Sequence, residues 1–448
     1  MTSPTSPFGL DRQALETLVA TALEEAGDRG ADQAEAGASL GTGLSVMVRC
    51  GEVETLEHQR DRGFAVTVYF DKRKGHASTS DLSKAAIRET VGKACSIASY
   101  TAVDDCAGLA DAGMMATEIP DLSLDHAWNL SADDAIALAT GCEQDGMACD
   151  ERISNSDGAS VHTGRALKIY GNTHGFSGGF PSSSHSLSCV LVASDGDRME
   201  RDYWYTSARD PQALEDAASV GRMAAERTVR RLGGRKISTR AAPVLFPAEL
   251  SRGLFGHFVS AIRGASQYRK ATFLLDAVGT EIFPSFVNIS ERPHILGAPA
   301  SAPFDNEGVA TRDRELVRDG FLESYVLSSY SARKLGLETT GNAGGVHNLI
   351  VSHGDKSLDD LVDEMGTGLV VNELMGQGVN GVTGDYSRGA SGFWVEDGKI
   401  AYPVAEITIA GNLTKMYQDI VAIGDDVDLR GGVRTGSVLI SEMMIAGD

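Results

Sequence analysis

Thiols are scarce in this chain and absent from its second half. The 6 cysteines, Cys50, Cys95, Cys106, Cys142, Cys149 and Cys189, are scattered, and none belongs to a C-x-x-C pair. In a chain of 448 residues that pattern argues against a disulfide framework and for reduced thiols, which places the protein in the cytoplasm. None of the 10 histidines is followed by glutamate, and none has another histidine three, four or five residues away. No helix can therefore present the paired imidazoles and neighbouring carboxylate of a His-Glu zinc site. Cations are also in deficit. Lys and Arg total 40 against 62 Asp and Glu, a net charge of -22. A phosphate-binding surface needs clustered Lys and Arg, so nucleic acid is not an expected partner. No run approaches about 18 apolar residues, so no helical membrane span is expected. The opening MTSPTSPFG has neither a basic nor an apolar stretch and reads as a disordered tail over residues 1–9, not as a signal peptide.

Glycine is plentiful where it matters most. From Met375 to Asn412 the sequence runs MGQGVNGVTGDYSRGASGFWVEDGKIAYPVAEITIAGN. Gly376, Gly378, Gly381, Gly384, Gly389 and Gly392 are too closely spaced for a helix. Between them stand Asn380, Asp385, Ser387 and Arg388, polar groups beyond what a plain turn requires. Asp397-Gly398, flanked by apolar runs, signals a tight hairpin.

The rest of the chain divides by pattern. Apolar residues from Leu10 to Ala26 recur at helical spacing, with Gly27 as a stop. Strand-like runs follow at 44–48, 53–57 and 64–70. Lys72–Gly75 reads as a turn before a run to Ser80, and 84–99 reads as a helix. Ser131 and Asp134 open a helix over 132–149. Runs at 186–193 and 197–206, then a helical stretch at 212–232, repeat the strand-then-helix order. Beyond Gly233-Gly234 come β-type runs at 243–246, 369–373, 392–395, 407–409 and 438–440, with helices at 249–265 and 357–364. The expectation is an α+β protein. A 10–112 N-terminal unit and a 113–234 central unit, both strand-then-helix, precede a β-rich, barrel-like domain over 235–448.

The Met375–Asn412 segment resembles the C-terminal domain of the TldD/PmbA family, on its PmbA (TldE) branch. So do RGFAV at 62–66, ASTSDL at 77–82, AVDDCAGLAD at 102–111, YRKATFLLD at 268–276, NAGGVHNL at 342–349 and TGSVLISEMMIAG at 435–447. The resemblance covers nearly the whole chain. It implies a zinc peptidase architecture in which the TldD branch holds the metal through His-Glu-x-x-x-His on one helix and a late cysteine, with the glutamate as general base. The matching helix here is ELSRGLFGHFVSAIRG. Phe255 takes the place of the first histidine, Gly256 that of the glutamate and Ser260 that of the second histidine. His257 is alone in this helix.

The resemblance thus implies a subunit without zinc of its own, paired as a heterodimer with a TldD-like subunit that carries the metal and acts on small or unfolded peptides. A homodimer is the expected alternative when that partner is absent. The family has been linked by name to DNA gyrase modulation, which the charge does not support as direct DNA contact. Tyr268, Arg269, Asn342, His347, Asn348, Asp385, Ser387 and Arg388 are candidate peptide-binding or subunit-contact residues. Each also has a plain reading as a turn or surface group. Two further functions stay open: a self-sufficient metallopeptidase with unorthodox ligands, and a regulatory binding protein without enzymatic activity.

Two motifs are set aside on context. GQGVNG at 376–381 matches G-x-G-x-x-G but opens further turns and no helix. GFSGG at 175–179 matches G-x-S-x-G, but Pro181 and a serine run follow, so it reads as an extended loop and not a nucleophile elbow.

Overall fold

The computed structural model describes residues 11–447. The tail expected at 1–9, and Leu10 of the first helix, lie outside them. The N-terminal half opens with α1 (Arg12–Asp28), capped by Asp11, whose side chain accepts from the Ala14 N–H. Then come β1 (Gln33–Arg49), β2 (Glu52–Phe70), β3 (Arg73–Thr79) and α2 (Lys84–Tyr100). The order repeats with α3 (Ala132–Met147), β4 (Ile153–Asn172), β5 (Ser177–Asp195), β6 (Arg198–Ala208) and α4 (Ala217–Arg230). At the start of α3, Ser131 and Asp134 form the reciprocal capping pair read from sequence.

These strands form one antiparallel sheet in the order β3-β2-β1-β4-β5-β6. The two strand-then-helix units meet where β1 pairs with β4. Even-numbered residues of β1 are buried on either side of Thr42, Ala34 to Leu40 under α1 and α2, and Leu44 to Val48 under α3 and α4. All four helices therefore lie on one face of the sheet. The opposite face looks onto the C-terminal half.

Three local readings are corrected. The separate runs at 44–48, 53–57 and 64–70 are parts of only two long strands. They turn at Cys50-Gly51, both with positive φ (51° and 78°). GFSGG is not a loop throughout: β5 begins at Ser177 and runs through Pro181. The turn read at Lys72–Gly75 lies at Asp71-Lys72, and Arg73 already starts β3.

The C-terminal half begins with β7 (Arg240–Phe246), α5 (Ala248–Ile262) and the short α6 (Gly264–Tyr268). A small sheet and a helix follow: β8 (Ile289–Glu291), β9 (Arg314–Arg318), β10 (Phe321–Leu322), α7 (Ser329–Leu335) and β11 (Leu349–Val351). Next come α8 (Leu358–Met365), β12 (Gly368–Met375), β13 (Asp385–Glu396), β14 (Lys399–Asn412) and α9 (Leu413–Gln418). The chain closes with β15 (Ile420–Ile423), β16 (Val433–Arg434) and β17 (Val438–Ala446). Strands β14, β13, β12, β7 and β17 follow one another, and β14 also pairs with β17. This closes a five-stranded barrel, the β-rich domain expected from sequence. Asp397 and Gly398 at the β13–β14 turn both have positive φ (50° and 72°), as a two-residue hairpin of the primed type demands.

The barrel core and the inner face of α5 form one apolar cluster, joining Leu254, Phe255, Phe258 and Ile262 to Val244, Leu369, Ala390 and Ile440. The outside of the barrel is covered by α8 through Leu361, Val362 and Met365. The helix read over 249–265 ends earlier, at Ile262. Arg263 is extended (φ -67°, ψ 138°), and the next residue starts the separate turn of α6.

Candidate functional site

Helix α5 has two unlike faces. Phe255 and Phe258, three residues apart, both point inward and are fully buried. Phe255 lies 6.2 Å from Phe283 between ring centres, and Phe258 meets the edge of the same ring at 5.2 Å. Tyr417 closes this aromatic group and donates its hydroxyl to the Leu254 carbonyl at 2.8 Å. Burial raises the Tyr417 phenol well above its ordinary value. So the residue in the first ligand position is a core side chain.

The outer face carries His257, half-buried, and Ser260, exposed. They line a cavity of ≈ 220 Å³ together with Ser266, Phe273, Gln377 and Arg388. The cavity's rim is the loop between β12 and β13, the glycine-rich segment singled out from sequence. Its course is set by a close approach. A Cβ on Gly378 would lie 1.8 Å from the Ser387 carbonyl oxygen, so no other residue fits there. The Ser387 N–H donates to the Gly378 carbonyl at 2.7 Å.

Asp385, Ser387 and Arg388 are not turn residues, the plain alternative that the sequence left open. They begin β13, because their backbone pairs with Asn412, Ala410 and Ile409 of β14. Alternation then separates them. Arg388 points into the cavity. Asp385 is exposed and accepts from Thr383 Oγ1 (2.6 Å) and Asn412 Nδ2 (3.2 Å), bonds that hold its carboxyl below the usual range. Ser387 is exposed.

Within the cavity the electrostatics are one-sided. The His257 imidazole is pushed down by burial and, secondarily, by the Arg388 charge. Tyr386 meets the His257 ring edge-on at 6.2 Å, and burial pushes its phenol up to about 12, with Arg388 acting against that. Ser260 donates back to the Gly256 carbonyl at 2.9 Å and is occupied with its own helix.

These residues do not fit the zinc that the resemblance implies. Of the three matching positions, Phe255 is apolar and buried, Gly256 has no side chain and Ser260 offers only a hydroxyl. His257 is the cavity's single imidazole, with no carboxylate or thiolate beside it. Among the described residues, no three His, Cys, Asp or Glu side chains converge in a way that could hold a metal ion.

The NAGGVHN residues lie elsewhere, around a carboxylate the sequence did not flag. Glu291, 1% exposed, accepts from Asn342 Nδ2 (2.7 Å), the His347 N–H (2.7 Å) and Arg314 (3.4 Å), with His347 Nδ1 at 3.0 Å. Arg314 also donates to Asn342 Oδ1 at 2.6 Å. Asn348 is buried with φ +40° and donates to the Arg292 carbonyl (2.9 Å) and to Ser301 Oγ (2.6 Å). Asn342 and Asn348 thus brace a loop. His347 borders a wider cleft of ≈ 830 Å³ between the N-terminal sheet and the C-terminal half, with Arg62, Lys168, Phe304 and Asp305.

Tyr268 and Arg269 are apart from both places. Tyr268 meets Tyr330 of α7 edge-on at 6.0 Å, and the Arg269 guanidinium lies 5.5 Å from the Tyr268 ring centre. Helix α7 also clamps the AVDDCAGLAD segment. Tyr330 and Lys334 bind Asp104 at 2.7 and 2.9 Å, and Arg333 donates to the Cys106, Gly108 and Leu109 carbonyls. These residues bind the two halves of the chain together. No local motif marks Arg333, Arg314 or Glu291, so sequence reasoning had no signal for them.

Comparison with known proteins accords with this architecture. Family models of the PmbA/TldA metallopeptidase match in series: domain 1 over residues 34–98, the central domain over 125–232 and the C-terminal domain over 239–447. The chain is 50% identical to metalloprotease PmbA of Escherichia coli O157:H7, over 97% of each protein. It superposes on a Bacteroides thetaiotaomicron protein described as a candidate modulator of DNA gyrase with a TM-score of 0.92 and 29% identity, covering 97% of this chain and 99% of that one. TldE from Thermococcus kodakarensis gives 0.80 at 19% identity, over 97% and 100% of the two chains, a likeness of fold alone. By sequence and by fold, the chain belongs to the PmbA/TldD metallopeptidase family.

Proposed function

We propose that this chain is the metal-free, PmbA/TldE-type subunit of a heteromeric zinc peptidase, acting with a TldD-like subunit on small or unfolded peptides. The observation that carries this is the state of α5. Its first ligand position holds a ring locked into the barrel core, and the other two hold no metal donor stronger than a hydroxyl. In this reading the chain shapes the compartment and the TldD-like subunit supplies zinc and the general base. A lone imidazole at His257 cannot replace a three-ligand set, which disfavours a self-sufficient enzyme.

The test is zinc content and peptide hydrolysis for the purified chain, then for the chain mixed with the TldD-like protein of the same genome. The expected outcome is no stoichiometric zinc and no turnover alone, with turnover in the mixture that a chelator removes. Zinc and chelator-sensitive turnover in the isolated chain would overturn the proposal. Absence of turnover in every pairing would favour a regulatory binding protein.

A further inference from the structure

We propose that the cavity between α5 and the Gly376–Gly381 loop is a carboxylate-binding site, with Arg388 as its anchor, that takes the C-terminal residue of a peptide. This deepens the reading of α5 as a helix freed from metal binding, and rests on it only for the peptide as source of the carboxylate.

The first argument is charge. In a chain with 62 acidic and 40 basic residues, several partly or fully buried arginines elsewhere are paired with carboxylates, although Arg209 and Arg434 have no such partner among the described residues. Arg227 lies 2.8 Å from Glu249, Arg231 lies 2.7 Å from Glu373, Arg314 lies 3.4 Å from Glu291 and Arg430 lies 2.9 Å from Asp428. Arg388 has no carboxylate partner among the described residues. Its Nη2 donates to the Leu374 carbonyl at 3.3 Å and its guanidinium is hydrogen-bonded to the neutral Tyr386 phenol, while its buried Nε has no partner. No Asp or Glu lines the cavity. Partial burial of an unpaired guanidinium is costly, and an incoming carboxylate offsets that cost with charge-assisted hydrogen bonds.

The second argument is the rest of the lining. Gln377 and His257 stand beside Arg388 as further polar groups. Burial and, secondarily, the Arg388 charge push the His257 imidazole down, which favours its neutral form with one N–H to donate. Phe273, Val379 and Leu413 supply an apolar wall. The volume, ≈ 220 Å³, is below the roughly 300–1,000 Å³ of sites for drug-sized ligands. It suits one residue with a short side chain. A peptide ending in a small apolar residue satisfies both the cation and the wall, whereas an inorganic anion satisfies only the cation.

The experiment uses the isolated full chain, without partner or zinc. N-acetyl-L-alanine, N-acetyl-L-alaninamide and inorganic phosphate are titrated separately and binding is followed by NMR chemical-shift change. The acid is expected to bind at least ~10-fold more tightly than the amide and than phosphate, one charge-assisted pair being of that order. Arg388→Met should abolish acid binding, Arg388→Lys should keep part of it, and Arg88→Met, exposed on α2 and outside the cavity, should leave it unchanged. Equal binding of acid and amide, no binding of the acid at about 10 mM, or phosphate binding as tightly as the acid would each overturn the site. So would unaltered binding by a folded Arg388→Met chain. Because no outcome depends on hydrolysis, failure here leaves the subunit reading standing, and failure of the subunit reading leaves this measurement intact.

Discussion

Asn342–Leu349 and Met375–Arg388 are both glycine-rich, polar stretches of the C-terminal half, and in sequence they look equally purposeful. In the fold they differ in how their polar groups are satisfied. The first stretch closes on itself. Asn342, His347 and Asn348 spend their hydrogen bonds on Glu291, Arg292, Arg314 and Ser301, all within the protein. The second stretch leaves Arg388 facing a cavity with only neutral partners, the Leu374 carbonyl and the Tyr386 phenol, and a buried Nε without partner. Buried polar groups are normally paired, so a closed network is evidence of architecture and an open one is evidence of something still to bind. Polar density alone does not separate the two cases.

The sharpest way to break this contrast is to remove the centre of the closed network. Glu291→Ala strips the partner from Arg314, Asn342 and His347 together. Removing one member of a buried ion pair costs about 3–5 kcal/mol, and urea unfolding should show a loss of that size. A loss below about 1 kcal/mol would mean that the network is not architectural, and the Asn342–Leu349 loop would return as a candidate binding element.

A smaller effect concerns pH. Asp305, at the floor of the cleft, is tied to the same loop through the Ala343 N–H (2.8 Å) and also accepts from the Glu307 and Val309 N–H groups. Burial pushes its carboxyl up from 3.8 to about 6, the Glu307 charge adding to this and the backbone donors opposing it. The folded state therefore holds the proton more tightly than the unfolded state. This stabilising contribution is full below pH 3.8 and is lost as pH rises through about 6. Relative to Asp305→Asn, which cannot titrate, the wild type should lose about 1–3 kcal/mol between pH 4 and 7. Urea midpoints across that range measure it, and parallel pH profiles for the two proteins would refute it.

How far the sequence reveals all this depends on whether the signal is local. The Ser131–Asp134 capping pair and the Asp397-Gly398 hairpin are complete within a few residues and were readable. The first part of β2 was read only in fragments, because residues 52–62 are exposed on both faces and carry no apolar alternation. Strand β4 left no reading at all: its buried positions include Gly158 and Thr163, and pairing with β1 and β5 defines it. Asp385–Arg388 looked like turns because glycines surround them, yet β14 makes them a strand. At the candidate site, Phe255, Ser260 and Arg388 were named from sequence, while the grouping of Arg388 with His257 and Gln377 required the barrel to close. Glu291 is an ordinary glutamate until three distant donors converge on it.

The smallest stability effect sharpens the contrast most. Arg388→Met removes a partly buried guanidinium that has two neutral hydrogen-bond partners, the Leu374 carbonyl and the Tyr386 phenol, and no ion pair among the described residues, so the fold should lose little. The lost hydrogen bonds are worth about 0.5–1.5 kcal/mol each, and relief of an unpaired, partly buried charge offsets most of that. A net change within about 0.5 kcal/mol is expected by urea unfolding, against several for Glu291→Ala. If Arg388→Met instead destabilises as strongly as Glu291→Ala, Arg388 is a structural group like Arg314, and the two glycine-rich segments no longer differ in kind.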